Sequence, residues 1–327
     1  MNGAESLVRT LVNGGVDVCF ANPGTSEMHF VAALDRVEGM RCVLGLFEGV
    51  VTGAADGYFR MKGVPACTLL HLGPGLANGL ANLHNAGKAG SGIVNIVGQH
   101  AVDHVSHNAP LTSDIEGLAR PMSGWVRTSS DSKSVACDGA AAIAAAKSSP
   151  PQIATLILPA DTAWNEADGI AAVPENSQRP GYSQPAVDAA ARILRSGGGE
   201  TLLLLTGSAL SEPGLALAGM IAGRTGCKVM AQTYNARMAR GRGRFFIDRI
   251  PYVVEQALRV LKPFRTIILV EADDPVAFFA YPDKPSLLKA EGCSVHRMTA
   301  RGDNSVAALE ALADAAGARR ADKRPQK

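Results

Sequence analysis

Short apolar runs alternate with longer, half-polar stretches along most of the chain. Val16 to Phe20, Cys42 to Leu46, Cys67 to His71, Ile93 to Val97 and Thr155 to Leu158 are brief and nearly free of polar residues, which predicts buried strands. Between them, Ala4 to Val12, Met28 to Val37, Gly49 to Met61, Leu76 to Lys88 and Val135 to Lys147 space their apolar or alanine positions as helices do. Neighbouring parallel strands need a crossover of a dozen or more residues, and these helices supply it. The pattern predicts an α/β chain of doubly wound parallel sheets.

The alternation lapses from about Asp161 to Gln184, where Asn165-Glu166-Ala167-Asp168-Gly169, Pro174, Ser177, Pro180-Gly181 and Ser183 have the composition of a linker. It resumes with strands expected at Thr201 to Thr206, Lys228 to Ala231, Thr266 to Val270 and Cys293 to Met298. Helices are expected at Ala186 to Arg195, Pro213 to Arg224, Tyr252 to Leu261 and Ser305 to Ala316. The expected division is a first domain over 1–165, a linker over 166–184, a second α/β domain over 185–318 and a polar, basic tail over 319–327. A chain of 327 residues accommodates two domains of ordinary size.

Composition narrows the classes. Apolar residues make up 46% and charged residues 19%, with 35 glycines, which fits a soluble α/β protein rich in tight turns. The net charge is +2, and basic residues cluster only in Arg237 to Arg244 and in the tail, so no nucleic-acid partner is expected. The apolar stretch from Leu202 to Gly223 is broken by Glu212-Pro213 and reads as strand, turn and helix rather than a membrane span. Six widely spaced cysteines without a CxxC pair read as reduced core residues of a cytoplasmic protein, and no secretory signal opens the chain.

Ligands of open α/β sheets collect at the carboxyl ends of the strands, so the turns there carry the candidate chemistry. Asn22-Pro23-Gly24-Thr25-Ser26-Glu27 offers backbone N–H groups and hydroxyls to an anion or polar ring, or else a plain helix cap through Thr25 or Ser26. Glu48 is a lone carboxylate between an apolar strand and a small-residue helix. Desolvated among Leu46, Phe47 and Val50 it would be costly without a task; facing water it would be an ordinary first-turn acid. His71 ends a strand and could hand over a proton near neutral pH, or be a half-buried structural histidine. Gly73, Gly75 and Gly79 do not have dinucleotide-loop spacing, and no acid follows about 20 residues on, which disfavours a nicotinamide enzyme. His100, His104 and His107 have helical spacing but lack the cysteine or carboxylate of a metal site.

Taken in order, Asn22 to Glu27, Phe47 to Tyr58 and Gly73-Pro74-Gly75-Leu76-Ala77-Asn78-Gly79 resemble the thiamine-diphosphate-dependent enzymes of the acetolactate synthase and benzoylformate decarboxylase type. Phe278-Phe279-Ala280-Tyr281-Pro282 adds to the acetolactate synthase side of the likeness, and Gln99 leans the same way. The resemblance spans residues 1 to 318 as a pyrimidine-binding domain followed by a central domain. It implies that Glu48 hydrogen-bonds the aminopyrimidine ring of thiamine diphosphate and favours its proton-accepting tautomer. It implies that Thr25 and His71 line the substrate side, that Gly24, Gly73 and Asn78 shape the pocket, and that the substrate is a small 2-keto acid. Phe279-Ala280-Tyr281 stands where benzoylformate decarboxylases carry a histidine.

Members of that family hold the diphosphate through Mg2+ on a third domain marked by Gly-Asp-Gly and a later Asn-Asn pair. Neither string occurs in these 327 residues, so the chain itself is expected to hold no metal and to lack the diphosphate-binding domain. The leading expectation is an acetolactate-synthase-like chain acting on 2-keto acids, inactive without that domain. The alternatives are a 2-keto acid decarboxylase of the benzoylformate type, or a non-catalytic, dimer-forming remnant. Whether FAD binds is left open. The resemblance further implies a homodimer or homotetramer, or a separate diphosphate-binding chain as partner, with the small-residue face of Gly49 to Gly57 and Leu76 to Leu83 at a subunit contact.

Overall fold

A computed structural model of the chain describes residues 1–174 and 181–319. The linker positions Ser177 and Pro180 and tail residues 320–327 lie outside them. The chain divides into two compact units, Met1–Ser177 and Gln178–Lys327.

The first unit carries six parallel strands: β1 (Val18–Asn22), β2 (Arg41–Leu44), β3 (Ala66–Leu70), β4 (Ile93–Gln99), β5 (Trp125–Thr128) and β6 (Ile153–Pro159). Their order is β2-β1-β3-β4-β6-β5. Alternate residues feed two cores, as the pleat requires. Leu69 and Ile96 pack with Leu7, Leu11, Phe30 and Ile143 on one face, while Leu70 and Val97 pack with Val51, Leu76 and Leu83 on the other. The first face is covered by α1 (Gly3–Asn13) and α2 (Met28–Arg36), the second by α3 (Glu48–Lys62) and α4 (Leu72–Ala89). Asn95, buried mid-sheet, is satisfied across the strands: it accepts from Thr68 at 2.6 Å and donates to Thr155 at 2.9 Å.

The second unit repeats the plan with β7 (Thr201–Leu205), β8 (Lys228–Ala231), β9 (Asp248–Arg249), β10 (Thr266–Val270) and β11 (Ser294–Thr299), all parallel in the order β11-β10-β7-β8-β9. Leu203 and Leu205 join one core and Leu202 and Leu204 the other. Both units are the expected doubly wound α/β sheets. Strands β5 and β9 fall outside the expected set. Each is short and lies at a sheet edge with polar residues in it, so neither leaves an apolar run to read.

Two expectations about surroundings are corrected, the burial of two cysteines and the start of the helix after β3. Cys42 and Cys137 are exposed rather than core residues; Cys42 sits on the edge strand β2, in register with buried Cys19. A hydrogen bond to Cys19, and then partial burial, hold the Cys42 thiol above its ordinary titration range. Part of the small-residue face of Gly49 to Gly57 and Leu76 to Leu83 packs within the chain. Thr52 Oγ1 donates to the Gly79 carbonyl at 3.0 Å and Asn82 Nδ2 to the Gly49 carbonyl at 2.7 Å, and Leu76 and Leu83 are fully buried. The helix after β3 begins at Leu72 rather than Leu76. His71 caps it in extended conformation, Pro74 falls in the first turn where a missing N–H costs nothing, and Gly75 N–H donates to the His71 carbonyl at 2.8 Å. Leu72 makes the corner with a φ of 49°, a strain of roughly 1–2 kcal/mol. Its complete burial offsets that by a similar amount, about 1.5–3 kcal/mol. Among the described residues no helix is long and apolar enough to cross a membrane.

Candidate active site

The candidate groups follow the carboxyl ends of four adjacent strands of the first sheet, β2 at its edge and then β1, β3 and β4. Glu48 follows β2 as the first residue of α3, with extended Phe47 as its cap. Its carboxylate therefore lies at the positive end of that helix. It is only 9% exposed, but not for the expected reason: Leu46 is 91% exposed, and Phe47 and Val50 also point outward. Burial comes from α4. Asn78 Nδ2 donates to Glu48 Oε2 at 3.0 Å, and a Cβ built on Gly75 would lie 3.1 Å from Glu48 Oε1. Oε1 has no partner among the described residues and is not sealed off, so it remains an available acceptor.

The same Gly75 position lies 3.3 Å from the Cβ of His71, so Glu48 and His71 flank one glycine at the start of α4. His71 is 24% exposed at its side chain and directs Nδ1 to Glu27 Oε2 at 2.8 Å. Glu27 is the unexpected member. It closes the one-turn helix Thr25–Glu27 after β1, is 3% exposed, and reaches back to accept the Gly24 N–H at 2.7 Å. An acid three residues after a turn glycine is the reach-back half of a capping box, a signal already present in Gly24-Thr25-Ser26-Glu27.

Gly24 belongs to the site because a Cβ there would come within 2.3 Å of the His71 ring. Thr25, next to it, is exposed. Gly73 turns elsewhere: a Cβ there would meet Ser113 Oγ at 1.7 Å, so its bareness serves packing against the segment before Ile115. Glu48, His71, Asn78 and Gly24 are thus brought together, with Gly75 and Gly98 beside them, while Gly73 packs away from them. Gln99, at the end of β4, accepts the His100 N–H at 2.8 Å. The ring of His104 meets that of His100 edge-on and that of His107 at a tilt, with centroids 5.4 and 5.6 Å apart, and no group of three metal-ligating side chains could hold an ion among the described residues.

The second sheet has its own crevice between β7 and β10, where the strand order reverses. The chain's own Glu271, at a φ of 60°, occupies it. Its carboxylate accepts from Ser208 N–H at 3.0 Å and Ser208 Oγ at 2.7 Å, and fills the space over Gly207. A nucleotide diphosphate at this turn would meet a carboxylate instead of free donors, so these residues do not fit FAD there. Tyr234, Tyr252, Phe278, Phe279 and Tyr281 form an exposed aromatic cluster in the same unit.

Residues 1–118 match the family described as thiamine pyrophosphate enzyme, N-terminal TPP binding domain. Over 315 residues the chain is 50% identical to a Mycobacterium tuberculosis protein assigned provisionally as acetolactate synthase large subunit IlvX, covering 96% of this chain and 60% of that protein. Over 112 residues it is 37% identical to the benzoylformate decarboxylase of Pseudomonas aeruginosa, covering 34% of this chain and 21% of the enzyme. Its backbone superposes on the thiamine diphosphate-dependent 4-hydroxybenzoylformate decarboxylase of Rhodococcus jostii RHA1 with a TM-score of 0.81 at 21% identity, covering all of this chain and 64% of that one. The chain thus spans about three fifths of the length of the longer-matched relatives.

Proposed function

We propose, for a chain whose residues 1–118 match the family described as thiamine pyrophosphate enzyme, N-terminal TPP binding domain, that it contributes the aminopyrimidine half of an acetolactate-synthase-like active site working on 2-keto acids. Thiamine diphosphate, when bound, supplies the electron sink that lets a 2-keto acid lose CO2. The observation that carries the reading is Glu48: a carboxylate held at a helix start by Asn78, with one oxygen still open beside a glycine. An open carboxylate oxygen fits a ring N–H donor, and Gly75 leaves room for a flat ring to approach it. Asn78 fixes the carboxylate's rotation, and Glu48 takes or returns a proton at Oε1. The diphosphate and its Mg2+ would be held by residues outside these 327, since the sequence has no Gly-Asp-Gly.

A decarboxylase is the second reading. What favours it is His71, oriented by Glu27 and opening beside Glu48, because a histidine there can deliver a proton to a product after CO2 has left.

Calorimetry on these 327 residues alone should give weak binding of thiamine diphosphate even with Mg2+, because the cofactor's charge finds no anchor. Sub-micromolar affinity would sink the half-site reading. The apolar side chains left outward around Glu48, namely Leu44, Leu46, Phe47 and Val50, fit coverage by a second copy of the chain. Light scattering at micromolar concentrations should therefore report a dimer or larger; a monomer would remove the case for a site completed between subunits.

A further inference from the structure

We propose that Glu27 is a positioning residue that holds His71 in the tautomer protonated on Nδ1, leaving Nε2 as the one ring nitrogen free to exchange a proton beside Glu48. The role toward a ligand rests on the thiamine reading; the tautomer does not.

A carboxylate 3% exposed is costly unless its oxygens are met by donors. Glu27 Oε2 meets two, Gly24 N–H at 2.7 Å and His71 Nδ1 at 2.8 Å, while Oε1 is buried without a partner. The Gly24 amide can only donate, so Oε2 is an acceptor in this arrangement. An imidazole nitrogen sharing that oxygen completes the pair by donating as well. A neutral His71 then carries its proton on Nδ1 and presents a lone pair at Nε2; a charged one presents Nε2–H. Isolated histidines in water favour the opposite tautomer, so the preference must come from Glu27.

The surroundings are shaped to keep the pair in place. Cβ atoms built at Gly24 would come within 2.3–2.6 Å of three His71 ring atoms, so the ring lies flat against that backbone. A Cβ at Gly98 would lie 1.6 Å from Glu27 Oε1, so the carboxylate rests directly on the end of β4. Neither glycine has a positive φ, and both are bare because these two groups need the space. On the other side, Nε2 has no partner among the described residues and is not sealed from solvent. His71 and Glu48 share the Gly75 edge of the first turn of α4.

The test is long-range 1H–15N correlation spectroscopy of the full chain labelled at histidine, without cofactor, at a pH where the ring is neutral. His71 is assigned by the signal lost in His71→Asn. The expected pattern is a pyrrole-like Nδ1 and a pyridine-like Nε2, with the two characters reversed in Glu27→Ala. A wild-type His71 protonated on Nε2 overturns the proposal, and so does Nδ1 protonation that persists in folded Glu27→Ala. If Glu27→Ala does not fold, the wild-type pattern decides alone. Failure of cofactor binding would remove the thiamine reading and leave the tautomer standing, so the two are separable.

Discussion

Glu48→Gln is expected to lower turnover by about 10²–10⁴-fold in an enzyme that joins this chain to a diphosphate-binding domain, the range that a placed acid or base contributes. The amide keeps the length and shape of the side chain, and its oxygen can still accept from Asn78, so the fold should melt where the wild type does. What is lost is the exchangeable proton. A loss in kcat that persists at saturating cofactor and keto acid would place the effect in the chemistry rather than in binding. Near-wild-type turnover would reduce Glu48 to a first-turn acid stabilised by its helix, and the proposed function would lose the observation that carries it.

Gly98→Ala should destabilise the first unit by about 2–6 kcal/mol. A methyl 1.6 Å from Glu27 Oε1 and 2.5 Å from its carboxyl carbon cannot be accommodated without moving the carboxylate. Overpacking costs roughly 1–3 kcal/mol, and a buried carboxylate pulled from the Gly24 N–H and His71 loses about as much again. For a unit of this size that is a fall in melting temperature of roughly 5–20 °C. Gly57→Ala on α3 is the matched control: nothing lies within 4 Å of the added methyl, and alanine is the better helix former by about 1 kcal/mol. Equal melting of the two variants would mean that the Glu27 carboxylate is not seated on Gly98.

Much of the architecture was legible because the relevant physics is local. A strand buried on both faces leaves a continuous apolar run, as in Ala66–Leu70, and a crossover helix leaves a repeat near 3.6 residues, as in Gly3–Asn13. Trp125–Thr128 left no such mark, since an edge strand packs on one side only and tolerates Arg127 and Thr128. The corner at Leu72 was unreadable for another reason: a leucine at positive φ contradicts its own propensity and is held there by burial that no local window records.

For the site, Glu48 and His71 stand out by residue type and by their place after strands, because the carboxyl ends of a parallel sheet are where its turns gather, whereas Asn78 and Gly24 are singled out only by the family resemblance. Leu46, Phe47 and Val50 were assigned by the same local logic to the burial of Glu48, and it failed for them: which side of a strand end is covered depends on α4, not on the neighbours in sequence. Glu27 shows the division most clearly. Its reach back to Gly24 is a three-residue event that the sequence can signal. Its bond to His71, 44 residues away, and its seat on Gly98 exist only because β1, β3 and β4 lie side by side, and that adjacency comes from the order of strands in the folded sheet. Sequence alone determined the buried strands, the main crossover helices and the chemical groups at their ends, since those follow from periodicity and turn chemistry over a few residues. Tertiary structure decided which groups meet, which oxygen stays open and which glycine gives it room, because those depend on packing between segments far apart in the chain.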